Sequence, residues 1–145
     1  MLSNRRARHD YDLLDHFEAG LSLTGSEVKS LRQGKGSLAE AYVRMSGNEA
    51  WLEGMNIPIY EQASYNNHEP ERRRKLLLHK RELAEIARGL ERGGLTCVPL
   101  KLFWKDGWAK LEIALARGRK RHDKRRAEAE KDAKKQMRSY LGRES

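Results

Sequence analysis

The chain has 145 residues, 38% hydrophobic and 35% charged, with 30 Lys and Arg against 21 Asp and Glu. That length fits one domain of roughly 110–120 residues plus an arm, and the net charge of +9 points to a polyanionic partner, nucleic acid or an anionic membrane. A single cysteine, Cys97, excludes an internal disulfide and a cysteine cluster for zinc, and no apolar run approaches the roughly 18–20 residues that span a bilayer.

Met1-Leu2-Ser3-Asn4-Arg5-Arg6 has no apolar segment behind its charges, so a secretory signal is not expected and a cytoplasmic protein is. Residues 9–23 read as strand material, with Tyr11, Leu13, Leu14 and Phe17 apolar and a break expected at Glu18-Ala19-Gly20. Thr24-Gly25-Ser26-Glu27 is a capping box. It opens a short helix with Val28 and Leu31 inward, Lys29, Arg32 and Lys35 outward, and Gly34 as its stop.

Residues 38–60 alternate in polarity around the turn Ser46-Gly47-Asn48-Glu49 and predict two or three strands. Residues 61–70 are polar and form a long loop, a kind of segment that is usually functional or mobile. Arg72-Arg73-Arg74-Lys75 leads into Leu76-Leu77-Leu78, read as a core strand that fixes this basic cluster, with Lys80 and Arg81, at a sheet end. Leu83, Ile86, Ala87 and Leu90 have helical spacing, and Gly93-Gly94 ends that helix.

Residues 95–104 and 108–116 form the clearest hairpin. Val98, Leu100, Leu102 and Trp104 are predicted on one face, and Ala109, Leu111, Ile113 and Leu115 on one face of the return strand. Cys97 falls on the less apolar face. Lys105-Asp106-Gly107 reads as a three-residue connector, and Pro99 marks an edge or a bulge. The sum is a mainly β chain with flanking helices: a closed or half-closed antiparallel barrel of the oligonucleotide-binding (OB) type over residues 1–116.

Residues 117–145 hold 12 Lys and Arg and 5 acids, so they carry +7 of the +9. The stretch 119–126 has no large apolar residue and is expected to be disordered when free. Ala129, Ala133, Met137 and Leu141 recur every four residues, the pattern of a helix too thinly apolar to stand alone in water and stabilised once its charge is neutralised.

Catalytic signatures are missing from the sequence: there is no GxGxxG, no phosphate-loop lysine motif and no His-Glu-x-x-His. His9, His16, His68, His79 and His122 are scattered. No catalytic residue, metal or cofactor is expected. Asn4-Arg5-Arg6-Ala7-Arg8-His9-Asp10-Tyr11 interleaves cations with rings, which suits phosphate contact and base stacking. Composition still leaves open a general single-strand-binding barrel and a metal-dependent nuclease built from carboxylates and lysines.

Several stretches together resemble the SmpB family, the protein partners of transfer-messenger RNA (tmRNA) in bacterial ribosome rescue. They are Asn4 to Tyr11, Phe17-Glu18-Ala19-Gly20, Leu23 to Arg32, Arg74 to Glu82, Val98-Pro99-Leu100-Lys101-Leu102 and Ala116 to Arg125, in the family's order. The resemblance implies an OB-like barrel without catalysis. It implies binding to the tRNA-like domain of tmRNA, through positions that fall on Asn4, Arg6, His9, Tyr11, Glu18, Lys29, Arg32, Lys75, Leu77, His79, Lys80 and Arg81. It implies a tail that occupies the empty mRNA channel of a stalled ribosome, with the decoding-centre signature on Gly118, His122, Asp123, Lys124 and Arg125. Arg119, Lys120, Lys131, Lys134, Lys135, Met137 and Arg138 are the further tail positions expected to meet the ribosome. Elongation factor Tu is implied as an indirect partner through the alanine-charged RNA, and a monomer with no membrane partner is expected.

Overall fold

The structure is a computed structural model that describes residues 2–60 and 67–119. Expectations for residues 61–66 and 120–145, including Lys120, His122, Asp123, Lys124, Arg125, Lys131, Lys134, Lys135, Met137 and Arg138, lie outside the described residues.

In chain order the elements are β1 (Leu2–Ser3), α1 (Arg5–Asp10), β2 (Tyr11–Leu21), α2 (Gly25–Arg32), β3 (Tyr42–Ser46), β4 (Glu49–Glu53), β5 (Arg74–Leu77), α3 (Lys80–Glu91), β6 (Leu95–Lys105) and β7 (Trp108–Gly118). One antiparallel seven-stranded sheet runs β1-β6-β7-β2-β5-β4-β3. It curls until β3 lies against β6, so the expected mainly β barrel with flanking helices is present. Its interior holds Leu52, Met55, Ile57, Ile86, Leu102, Leu111 and Ile113, all at 0–1% exposure.

The N-terminus is a helix where strand was expected from residue 9. Asn4 Oδ1 accepts from the Ala7 N–H at 3.3 Å, capping α1, and the small side chain of Ala7 packs on Val98, Leu100, Ala114 and Ala116. The expected break at Glu18-Ala19-Gly20 is also replaced, by unbroken strand. Gly20 pairs with Lys110 on one side and Leu77 on the other. A β-carbon at Gly20 would sit 3.2 Å from the Leu77 β-carbon, so glycine here serves close approach of a neighbour, a reason glycine occurs inside strands.

The capping box forms as predicted: Thr24 Oγ1 accepts from the Glu27 N–H at 3.4 Å and Glu27 Oε1 accepts from the Thr24 N–H at 2.8 Å. The buried face of α2 is Ser26, Glu27, Ser30 and Leu31, with Val28 only half-buried. Between residues 38 and 60 two strands form. A single bridge, Ser37 to Asn56, stands where a third was allowed.

The β6–β7 hairpin corrects three readings together. Its register shifts between Pro99 and Lys101, which is the bulge expected at proline. That extra residue reverses the phase of β6. Cys97 therefore faces the main core at 0% exposure, while Val98 and Leu100 leave it for a second cluster under α1. The connector is two residues, because Lys105 pairs directly with Trp108. Asp106 (φ 51°) and Gly107 (φ 81°) both take left-handed backbone, as the tight turn of a right-twisted hairpin requires.

Candidate nucleic-acid interface

Strand alternation gives the sheet an inner and an outer face. On the outer face, register places Phe103, Lys110, Gly20 and Leu77 in one row across β6, β7, β2 and β5. Lys101, Glu112 and Glu18 form the next row, and Lys105 and Trp108 the row at the hairpin tip. Helix α1 covers the far half of this face through the Ala7 cluster, with Tyr11 and Leu13 at its edge. The half nearest the β6–β7 turn remains open to solvent, with Leu77 55% and Trp108 74% exposed.

This arrangement gathers Glu18, Lys75 and Leu77 on one surface. Lys105 Nζ lies 3.5 Å from Glu18 Oε1 and Lys75 Nζ lies 3.4 Å from Glu49 Oε1. These exposed pairs are weak and readily exchanged for phosphate partners. Lys29 and Arg32 project from α2 at the edge of the same surface. The Lys29 ammonium lies 5.6 Å from the Tyr60 ring centroid, and the Arg32 guanidinium stacks 4.3 Å over the Trp104 ring, so two cations rest on aromatic faces. His79, Lys80 and Arg81 follow β5 at the start of α3, all exposed. There Glu82 Oε1 accepts from the His79 N–H at 3.0 Å, fixing the turn.

Arg6, His9 and Tyr11 lie on or beside α1. Arg6 reaches Glu40 at 2.9 Å, His9 Nδ1 lies 3.1 Å from Asp10, and Tyr11 is half-buried. Asn4 stands apart. It is buried, and its side-chain amide donates to the carbonyls of Leu38 (3.2 Å) and Pro99 (2.9 Å). Its side chain locks α1 to the barrel instead of facing a partner.

The basic cluster 72–75 also divides. Arg74 is fully buried: its Nε donates to Glu27 Oε2 at 2.6 Å, Nη1 to the Met55 carbonyl at 2.6 Å and Nη2 to the Pro70 carbonyl at 3.0 Å. Arg72 Nη2 donates to the other Glu27 oxygen at 2.5 Å. Burial pushes the Glu27 carboxyl up, but hydrogen bonds from Arg72, the Thr24 N–H and Arg74, with the charge of Arg74, hold it below its ordinary 4.5. Arg73 is exposed and stacks 4.2 Å over Trp51, which pairs with Lys75 across β4 and β5, so Arg73 and Lys75 share the outer sheet face while Arg72 and Arg74 hold Glu27. The polar segment after residue 66 is likewise anchored: buried His68 bridges Ser26 Oγ at 2.8 Å and the Ile57 carbonyl at 2.7 Å.

At the end of the body, β7 continues past Ala116 to Gly118, opposite Tyr11. The Arg119 N–H donates to the Asp10 carbonyl and its Nε to Asp12 Oδ1, each at 2.9 Å. Arg119 is thus held at the junction of α1 and β2.

Sequence reasoning missed Lys101, Phe103, Lys105, Trp108 and Lys110. Alternation opposite Leu102 and Trp104 already put the first three on the outer face, but only the register brings them into rows with Glu18, Gly20 and Leu77 on distant strands. Trp108 beside a Gly-containing turn was the available signal.

An open, cation-rimmed sheet face with an exposed indole on an antiparallel barrel defines an RNA-binding protein of the OB-like class. The SmpB protein family model matches residues 1–143. SsrA-binding protein of Deinococcus radiodurans is 54% identical over 136 residues, covering 94% of this chain and 95% of that one. The SsrA-binding protein of Frankia casuarinae is 53% identical over 140 residues, covering 97% and 88%. A solved chain from work on tmRNA–SmpB and the centre of the bacterial ribosome superposes with a TM-score of 0.70 at 48% identity, over 87% of this chain and 92% of that one. The chain belongs to the SmpB family.

Proposed function

We propose that this protein binds the tRNA-like domain of tmRNA and acts with it on stalled ribosomes in trans-translation. Family membership along nearly the whole chain is the observation that carries the reading. The open face of β6, β7, β2 and β5 supplies the surface, with Glu18 as acceptor for base or ribose donors and Lys75, Lys80, Arg81, Lys29 and Arg32 for phosphates.

The tail from Lys120 onward supplies the second surface, directed at the decoding centre and the empty mRNA channel, and neutralisation there favours its helical form. Elongation factor Tu acts only through the charged RNA, and one copy of the protein serves each RNA. The protein does its work by binding, without a catalytic step. Among the described residues no helix is long and apolar enough to cross a membrane.

One competition experiment tests this. The folded tRNA-like domain is competed against unstructured RNA of equal length at fixed salt, with and without Mg²⁺. Preference for the folded domain is expected, with the RNA intact. Equal affinity would instead make the protein a general single-strand binder, and Mg²⁺-dependent cleavage would make it a nuclease.

A further inference from the structure

The turn of the β6–β7 hairpin overhangs a cavity of about 580 Å³ whose lining includes Gly20, Leu77, Trp104, Gly107, Trp108 and Lys110. Its two apolar lips are the most exposed large hydrophobic side chains among the described residues, Trp108 at 74% and Leu77 at 55%. An indole left in water forgoes a large burial gain, since a buried aromatic ring removes roughly 150–250 Å² from solvent. We propose that this mouth takes one unstacked nucleobase of the bound RNA, with Trp108 as its stacking residue and Leu77 as the opposite wall. The proposal rests on the RNA-binding reading above and adds to it a subsite and a residue outside the family positions.

Three observations favour a base over an apolar protein side chain. First, the rim is cationic. Lys110 lines the mouth, Lys105 pairs with Trp108 across the turn, and Arg32 lies over Trp104. The acid near this group, Glu18, has Lys105 3.5 Å away, and Glu112, further along β7, has Lys101 at 3.6 Å and His16 at 3.0 Å. An apolar slot ringed by lysine and arginine fits a group that is flat and apolar at its centre and negative at its edge, as a nucleotide is.

Second, the stacking platform is preorganised. Lys105 and Trp108 close a two-residue turn with both central residues left-handed, so the indole backbone is fixed before binding and little ordering entropy is lost. Third, the cavity is continuous with the row that already holds Gly20, Lys110 and Leu77, so a base seated here leaves its phosphates over Lys75 and Lys110. Seating an unpaired base needs no sequence readout, because every base has a π face.

The test uses the full-length protein and the isolated tRNA-like domain at fixed salt. Trp108→Ala is expected to lower affinity by roughly 5- to 100-fold, with Trp108→Phe retaining most of it. Trp108 is exposed, so both variants should melt with the wild type. Titration with RNA should quench tryptophan emission in the wild type and quench it far less in Trp108→Phe, which keeps Trp51 and Trp104. Wild-type affinity in Trp108→Ala would overturn the subsite while leaving the RNA-binding reading standing. Failure of the wild type itself to bind the domain would overturn both.

Discussion

Arg74 and Glu27 meet at 2.6 Å with both side chains fully excluded from solvent. The pair joins the first turn of α2 to β5, and Arg74 extends the joint to the carbonyls of Met55 and Pro70. The side chains next to Arg74 and Leu76 along β5, Lys75 and Leu77, point the other way, onto the open face. The buried ion pair is therefore the inner support of the RNA-facing strand, and it sets where α2 carries Lys29 and Arg32.

Removing one partner of such a pair leaves an uncompensated buried charge. Arg74→Met is expected to cost about 3–5 kcal/mol, read as a lower urea midpoint with little change in slope. The double variant Arg74→Met with Glu27→Leu should recover much of that loss. A single variant as stable as the wild type would remove the pair from the account of how α2 and β5 are held.

The same pair sets a pH dependence. The Glu27 carboxyl in the folded protein lies below its ordinary 4.5, so it binds its proton less readily folded than unfolded. Its stabilisation is complete above about 4.5 and is lost as pH falls through the lower folded value. Urea midpoints of wild type and Glu27→Gln should differ by a constant amount from pH 7 to about 5 and converge below 4.5. A gap that widened on acidification would contradict this.

Cys97 lies in the main core at 0% exposure, and burial pushes its thiol up to about 12. The thiolate is the reactive form, so a maleimide at pH 8 should leave the native protein unlabelled and label it fully in denaturant. Rapid native labelling would place Cys97 on the outer face, where strand alternation counted without the bulge had put it.

Glu18 is exposed and makes one loose ion pair. Glu18→Ala should leave stability within about 0.5 kcal/mol of the wild type and lower affinity for the tRNA-like domain by roughly 1–3 kcal/mol, as loss of a charged acceptor does. Tyr11→Ala should lower both, because Tyr11 also packs against the Ala7 cluster.

What could be read from the sequence was local. The Thr24–Glu27 capping box, the helix over Lys80–Glu91 and the last hairpin each announce themselves within a dozen residues, because caps, helical spacing and turns are short-range chemistry. The second role of Glu27 was not legible, since its partner Arg74 lies 47 residues away and looks like one more cation in a basic run. The phase of β6 was lost at Pro99. One extra residue there moved Val98 and Leu100 out of the main core and Cys97 into it. Asn4 illustrates the converse: its position in a family motif suggested contact with RNA, while its amide is occupied by Leu38 and Pro99.

The central claim is that one chain carries two separable surfaces, a folded one for tmRNA and a basic tail for the ribosome. Truncation after Arg119 keeps the β7 ladder and its hooks on Asp10 and Asp12. Affinity for the tRNA-like domain should then stay within a few-fold of the full chain at fixed salt, while peptide tagging on stalled ribosomes is abolished. Loss of RNA binding together with tagging, or tagging that survives the truncation, would contradict the account.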